Sequence, residues 1–127
     1  RKKYICKNQI KKGRSSVRHL LNLFKNGSSI ALMIDQRVSE GLKLDFFHKE
    51  AYTTTIPAQF VKKFNCRVIP IYIEREKEIN FKLTISKPLK FKEDDNLKKI
   101  TQELNFWLEN TIKSNPKKWI WSHDRWK

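Results

Sequence analysis

The chain has 127 residues, 39% of them hydrophobic and 32% charged, proportions that describe a single globular domain and exclude an intrinsically disordered chain. A formal charge of +15, with nine Lys or Arg and no acid before Asp35, points to anionic partners: phosphate-bearing lipid, nucleic acid or an acidic protein. The longest uninterrupted apolar run, residues 30–34, is far short of the ~20 residues of a membrane-spanning helix.

In chain order, a basic lead is followed by "SSVRHLLNLFKNG", where Ser15 or Ser16 suits an N-cap, Val17, Leu20, Leu21 and Phe24 recur at helical spacing, and Gly27 suits a stop. "SSIALMIDQR" then reads as a strand buried on both faces, ending where Asp35, Gln36 and Arg37 begin. Residues 38–53, including Gly41 and "DFFHKEAY", show no clean period and are expected as a loop. From Thr54, with Pro57 in a first turn, Ile56, Phe60, Val61 and Phe64 predict a second helix that packs on the sheet. "CRVIPIYIER" predicts another buried strand, and "INFKLTISK" alternates Ile79, Phe81, Leu83 and Ile85 with polar residues, the pattern of a strand with one wet face. Asn96 to Ser114 place Leu97, Ile100, Leu104, Trp107, Leu108 and Thr111 on one helical stripe that Pro116 ends. The order helix, strand, helix, strand, strand, helix implies an α/β layer structure.

Chemistry-bearing groups are few. Cys6 and Cys66 are isolated, so two plain buried thiols in a reducing compartment are expected in place of zinc or a disulfide framework, and no metal or cofactor is implied. With three glycines, neither a Rossmann nor a Walker loop fits. "IDQR" would face a ligand if it closed a strand of an open sheet, and a solvated turn is the plainer reading. His48 beside Phe46 and Phe47 has no carboxylate at a useful spacing and reads as a surface histidine.

The ending "PKKWIWSHDRWK" holds three Trp, one His and five Lys, Arg or Asp residues. Extended, Trp119, Trp121, His123, Arg125 and Lys127 share a face; helical, Trp119, His123 and Trp126 do. Rings closing over a core, a membrane-interface anchor, a base-stacking surface and part of a substrate site all suit this composition.

Taken in order, "ALMIDQR", then "FF" before "AYTTTIPAQFVKKFNCRVIPIYIER", "FKLTISKPLKF" and the final "NPKKWIWSHDRWK" resemble the late acyltransferases of lipid A biosynthesis, the lauroyl and myristoyl transferase family. The resemblance spans essentially the whole chain and corresponds to the second half of a family member. Its most specific element is the ending, similar to the family's P-x-x-W-x-W-x-H-x-R-W-K; the Asp-Gln step is the second. Lys118 stands where the family often has Gln, and His48 where it often has Gly.

The resemblance implies part of a glycerolipid-acyltransferase-like layered fold, with a central, mostly parallel sheet flanked by helices, and residues 1–127 as one partial domain. It implies transfer of a fatty acyl chain from acyl carrier protein to a hydroxyl of a phosphorylated glucosamine lipid at the cytoplasmic face of the bacterial inner membrane, with this segment peripheral on the anionic surface. The family's general base lies in an H-x-x-x-x-[DE] motif. His19, His48 and His123 all lack that spacing, so the base is expected upstream of Arg1. Asp35, Gln36, Arg37, His123 and Arg125 are the expected substrate-binding residues. The competing expectation is a non-catalytic module binding a partner or nucleic acid; binding to RNA or DNA that survives physiological salt would favour the latter.

Overall fold

A computed structural model describes residues 9–10 and 14–127, and Cys6 lies outside them. The elements are α1 (Arg14–Lys25), β1 (Leu42–Phe46), β2 (Lys49–Thr53), α2 (Ile56–Phe64), β3 (Ile71–Arg75), β4 (Phe81–Ile85), α3 (Leu97–Ser114) and a 3-10 turn, Pro116–Lys118. They fall into two compact units, Arg1–Leu32 and Met33–Lys127.

In the first unit, α1 half-buries Val17, Leu20, Leu21 and Phe24 and exposes Arg18, His19, Asn22 and Lys25, the amphipathic pattern that its spacing predicts. Ser15 and Ser16 lie inside the helix and not at its cap. Its end follows the Schellman pattern: Gly27 adopts φ 82, its N–H bonds the Phe24 carbonyl at 2.9 Å, and the Ser28 N–H bonds the Leu23 carbonyl at 3.0 Å. A glycine accepts that left-handed backbone without steric cost.

In the second unit, β1 and β2 form an antiparallel hairpin with Leu44 opposite Ala51 and Phe46 opposite Lys49. The expected loop over residues 38–53 is therefore corrected. Leu42, Leu44 and Phe46 alternate with Lys43 and Asp45 as a half-buried strand should, but the turn residues are Phe47 and His48, without the usual Asn or Gly. Both have positive φ, 55 and 60, as a two-residue type I′ turn requires. The inner face, Leu44, Phe46, Ala51 and Thr53, is buried.

That face packs on α3, which buries Ile100, Leu104, Leu108 and Ile112 together with Thr101, Asn105 and Glu109. The helix starts where expected, its Asn96 side chain accepting the Lys99 N–H at 2.9 Å. The Asp95 carboxylate reinforces the start, accepting the Lys92 N–H at 2.8 Å and pairing with Lys99 Nζ at 2.5 Å. The Lys99 bond first, and the Lys92 N–H next, hold the Asp95 carboxyl below its ordinary pKa, and the Asp95 bond raises that of Lys99. The second helix, α2, carries Pro57 in its first turn, buries Pro57, Ala58 and Phe60, and ends on Asn65 with φ 48; it packs chiefly on α3 and not, as expected from the sequence, on the sheet.

The expected central, mostly parallel sheet is overturned: among the described residues there are two separate two-stranded antiparallel sheets, β1-β2 and β3-β4. Parallel neighbours need a crossover of a dozen or more residues. The Phe47–His48 turn and the Glu76–Asn80 connection permit only hairpins. The strand expected before Asp35 is absent as well: residues 28–34 join no strand among the described residues, since an apolar run becomes a strand only where a neighbour pairs its backbone. The second hairpin aligns Ile71 with Ile85 and Ile73 with Leu83, so its apolar side chains share one face, as alternation predicts. That face is uncovered, with Ile73 and Phe81 each 58% exposed, correcting both the buried strand expected over residues 66–75 and the single wet face expected over residues 79–87, where β4 is exposed on both faces.

Two measurements follow. A left-handed backbone costs a non-glycine residue about 1–2 kcal/mol, so His48→Gly should raise the urea unfolding free energy by about 0.5–1 kcal/mol, part of the gain being offset by glycine's greater unfolded-state freedom. Because the Asp95 pKa is depressed on folding, its contribution is present above the unfolded-state value of about 3.9 and is lost as pH falls through the folded value. Asp95→Asn should therefore flatten the acid limb of the stability profile below about pH 4, read by thermal melts across pH.

Candidate functional site

The segment carrying Asp35, Gln36 and Arg37 is laid along β2. The Val38 N–H reaches the Tyr52 carbonyl at 3.5 Å, and the Gly41 N–H closes a turn on the Val38 carbonyl at 2.9 Å. A Cβ at Gly41 would sit 2.2 Å from the Thr53 carbonyl oxygen, so only glycine lets this segment come so close. Asp35 and Gln36 occupy a bend and not the end of a strand. All three expected residues are half-buried. Asp35 Oδ1 and Arg37 Nε are enclosed without a hydrogen-bond partner among the described residues, a costly condition for polar atoms. The Arg37 guanidinium lies 5.5 Å from the centroid of the Tyr52 ring, and Lys43 Nζ lies 5.5 Å from the same centroid.

Arg125 enters this cluster from the far end of the chain. It is 0% exposed. Its Nη1 donates to the Tyr52 carbonyl, its Nη2 donates to Thr53 Oγ1 at 2.9 Å, and its guanidinium lies 5.2 Å from the Phe46 centroid. Thr53 Oγ1 also accepts from Asn105 Nδ2 at 3.2 Å, and Asn105 Nδ2 reaches the Asp45 carbonyl at 3.0 Å. Burial pushes the Arg125 pKa down; the negative charge of Asp35 opposes this and the positive charge of Arg37 adds to it. Asp35, Arg37 and Arg125 thus form one electrostatic group, although 88 to 90 positions separate them in sequence.

His123 does not join them. It is exposed, its backbone N–H bonding the Ile120 carbonyl at 3.2 Å. The tail is neither the extended nor the helical ribbon considered from sequence; it turns, so that Trp119 and Trp126 pack against the Phe46 core cluster. Trp126 Nε1 donates to the Phe46 carbonyl at 3.0 Å. Trp121 points outward, 55% exposed, with its Nε1 on the Pro116 carbonyl at 2.9 Å. Closing over a core is thus the use found for two of the three rings. Lys118, where the resembling family often has Gln, donates its Nζ to the Arg75 carbonyl.

Sequence reasoning missed Lys43, Tyr52, Thr53 and Asn105. Asn105 had a legible signal, since it lies four positions after Thr101 and one after Leu104, inside the arc that α3 buries. Lys43 and Tyr52 become neighbours only through strand register. Cys66 is a half-buried free thiol whose pKa is raised by burial, in keeping with a plain cysteine. Among the described residues no three His, Cys, Asp or Glu side chains are grouped as metal ligands.

The arrangement offers fixed positive charge beside a partly enclosed carboxylate, suited to holding an anionic or polarised group. It offers no nucleophile next to a base. The family model of bacterial lipid A biosynthesis acyltransferases matches residues 6–127. No curated protein matches the chain.

Replacing Arg125 with Met keeps much of the volume but leaves the Tyr52 carbonyl only the long Val38 N–H contact and removes one partner of Thr53. Hydrogen bonds to charged groups are worth about 1.5–3 kcal/mol each, so Arg125→Met should lower the unfolding free energy by about 2–4 kcal/mol in chemical denaturation. His123→Ala, at the surface, should change it by less than about 0.5 kcal/mol.

Proposed function

This chain belongs to the bacterial lipid A biosynthesis acyltransferase family, and from that premise we propose that it forms the substrate-holding part of an enzyme moving a fatty acyl chain from acyl carrier protein to a hydroxyl of a phosphorylated glucosamine lipid. The observation that carries the reading is the convergence of Asp35, from the Asp-Gln step of the family resemblance, and the adjoining Arg37 on Arg125 of its terminal motif.

In this reading the general base is the histidine of an H-x-x-x-x-[DE] segment upstream of Arg1. It takes the acceptor hydroxyl's proton as the alkoxide attacks the thioester carbonyl, and the carrier's thiolate leaves; such a base contributes about 10²- to 10⁴-fold. Asp35 and Gln36 organise the floor of the site, and the Arg37 guanidinium pairs with a phosphate or polarises the carbonyl. Arg125 acts one step removed: it fixes the Tyr52 carbonyl and Thr53, and so the strand along which Arg37 lies. His123, on the surface, is assigned no catalytic part.

The charge of +15 supports peripheral attachment to an anionic leaflet, where each Lys or Arg near the surface adds about 1 kcal/mol, and supports recruitment of an acidic carrier protein. No helix among the described residues is long and apolar enough to cross a membrane. We place the site at the cytoplasmic face of the bacterial inner membrane.

The test is acyl transfer by an enzyme that joins this chain to its upstream histidine segment. Asp35→Asn should lower kcat/KM about 10²-fold or more, the scale of a lost organising charge at a reacting centre, a loss far larger than any fall in the folded fraction seen in the thermal melt. The 127-residue chain alone should show no transfer. Turnover by that chain, or an unimpaired Asp35→Asn enzyme, would overturn the assignment.

A further inference from the structure

The chain carries 28 Lys and Arg residues, and among the described ones Arg37 and Lys43 converge on one ring. Lys43 and Tyr52 are directly opposite residues of the hairpin, so both project from its outer face, away from the buried face that meets α3. Arg37, from the preceding segment, brings its guanidinium to the same 5.5 Å from the Tyr52 centroid as Lys43 Nζ. Neither is within ion-pair distance of a carboxylate among the described residues. Arg37 is half-buried, its Nε enclosed and without a hydrogen-bond partner among them, and the fully buried Arg125 guanidinium behind the strand adds a third positive charge. Asp35 is the acid whose charge acts on Arg125. Asp45 and Glu50, opposite each other further along the hairpin's outer face, bound the patch on that side.

We propose that Arg37 and Lys43, gathered on the Tyr52 ring, form a binding subsite for a phosphate monoester. The chemistry favours this ligand over a carboxylate. A phosphate monoester is close to a dianion at neutral pH, and its several oxygens accept from a guanidinium fork and an ammonium together. The ring holds both side chains by cation–π attraction, so less side-chain freedom is lost when the anion arrives. Tyr52 is itself held, since its carbonyl accepts from Arg125 and from the Val38 N–H. The inference rests on the proposed function for its biological ligand, a phosphorylated sugar lipid, but the subsite is defined by its own residues.

Titration of the full chain with glucosamine 1-phosphate, followed by amide NMR, tests it directly. Saturable binding with shifts at Lys43 and Tyr52 is expected. Lys43→Gln should weaken binding about fivefold to tenfold, the range of one charge-assisted contact at a partly exposed site, and Arg37→Lys, which loses the fork, should weaken it similarly. Lys98→Gln, an exposed cation on α3, is the control and should change nothing. An equal loss in the control, or no binding at all, would show diffuse surface charge and overturn the subsite. Vesicles carrying phosphatidic acid, a monoester, against phosphatidylglycerol, a diester, separate the sources: a preference for the former that Lys43→Gln abolishes assigns the subsite to a lipid headgroup, and saturable glucosamine 1-phosphate binding without that preference assigns it to a soluble phosphate.

In the enzyme joined to its upstream segment, Lys43→Gln should raise KM for the phosphorylated acceptor and leave kcat unchanged. Saturable, Lys43-dependent glucosamine 1-phosphate binding without acyl transfer would sink the proposed function and keep the subsite. Transfer with an unaltered KM would do the reverse.

Discussion

One hydroxyl ties the second unit together. Thr53 Oγ1 receives Arg125 at 2.9 Å and Asn105 at 3.2 Å, so the end of β2, the middle of α3 and the C-terminal tail meet at one atom. The apolar contacts around it, Phe46, Ala51, Leu108 and Ile112 with Trp119 and Trp126, supply the burial. The polar contacts supply the register: both Nη groups of the buried Arg125 find acceptors, which offsets part of the cost of burying its charge. A slip of β2 by one residue would turn Thr53 away from α3 and leave Arg125 without its partner.

The same node explains why the candidate site exists where it does. The Arg125 bond to the Tyr52 carbonyl fixes the strand against which residues 35–41 lie, and Gly41 admits them to that distance. Asp35 and Arg37 are then held half-buried beside a buried, hydrogen-bonded cation. The terminal motif thus serves the site through position. Arg125 is structural in its contacts and electrostatic in its reach, so its substitution would disturb stability and site together. Enzymes commonly divide the work in this way, with rigid supports behind exposed reacting groups.

The described hairpin β3-β4 stands apart from this logic. Its apolar face, with Ile71, Ile73, Leu83 and Ile85, is exposed, and among the described residues each of its strands pairs with the other alone. Such a face resembles the half of a core whose other half has not been supplied. The alternation in "INFKLTISK" was readable because strand geometry puts every second side chain on one side. What covers that side is a matter of neighbours, on which local sequence is silent.

By itself the sequence determined α1, α2 and α3, because helical periodicity, an Asn cap and Gly or Pro stops are all local. It determined the family too, through the ending and the Asp-Gln step, and it marked Asp35 to Arg37 for attention. It also carried the period of β1, obscured by a turn whose Phe47 and His48 take left-handed backbone without the customary residues. Tertiary structure alone decided that the strands pair as hairpins and not as a parallel sheet, that Arg125 turns inward while His123 stays in solvent, and that Lys43 meets Arg37 over Tyr52. Those outcomes depend on which distant backbone offers a carbonyl, a hydroxyl or a ring within reach, and no repeat along the chain encodes that distance.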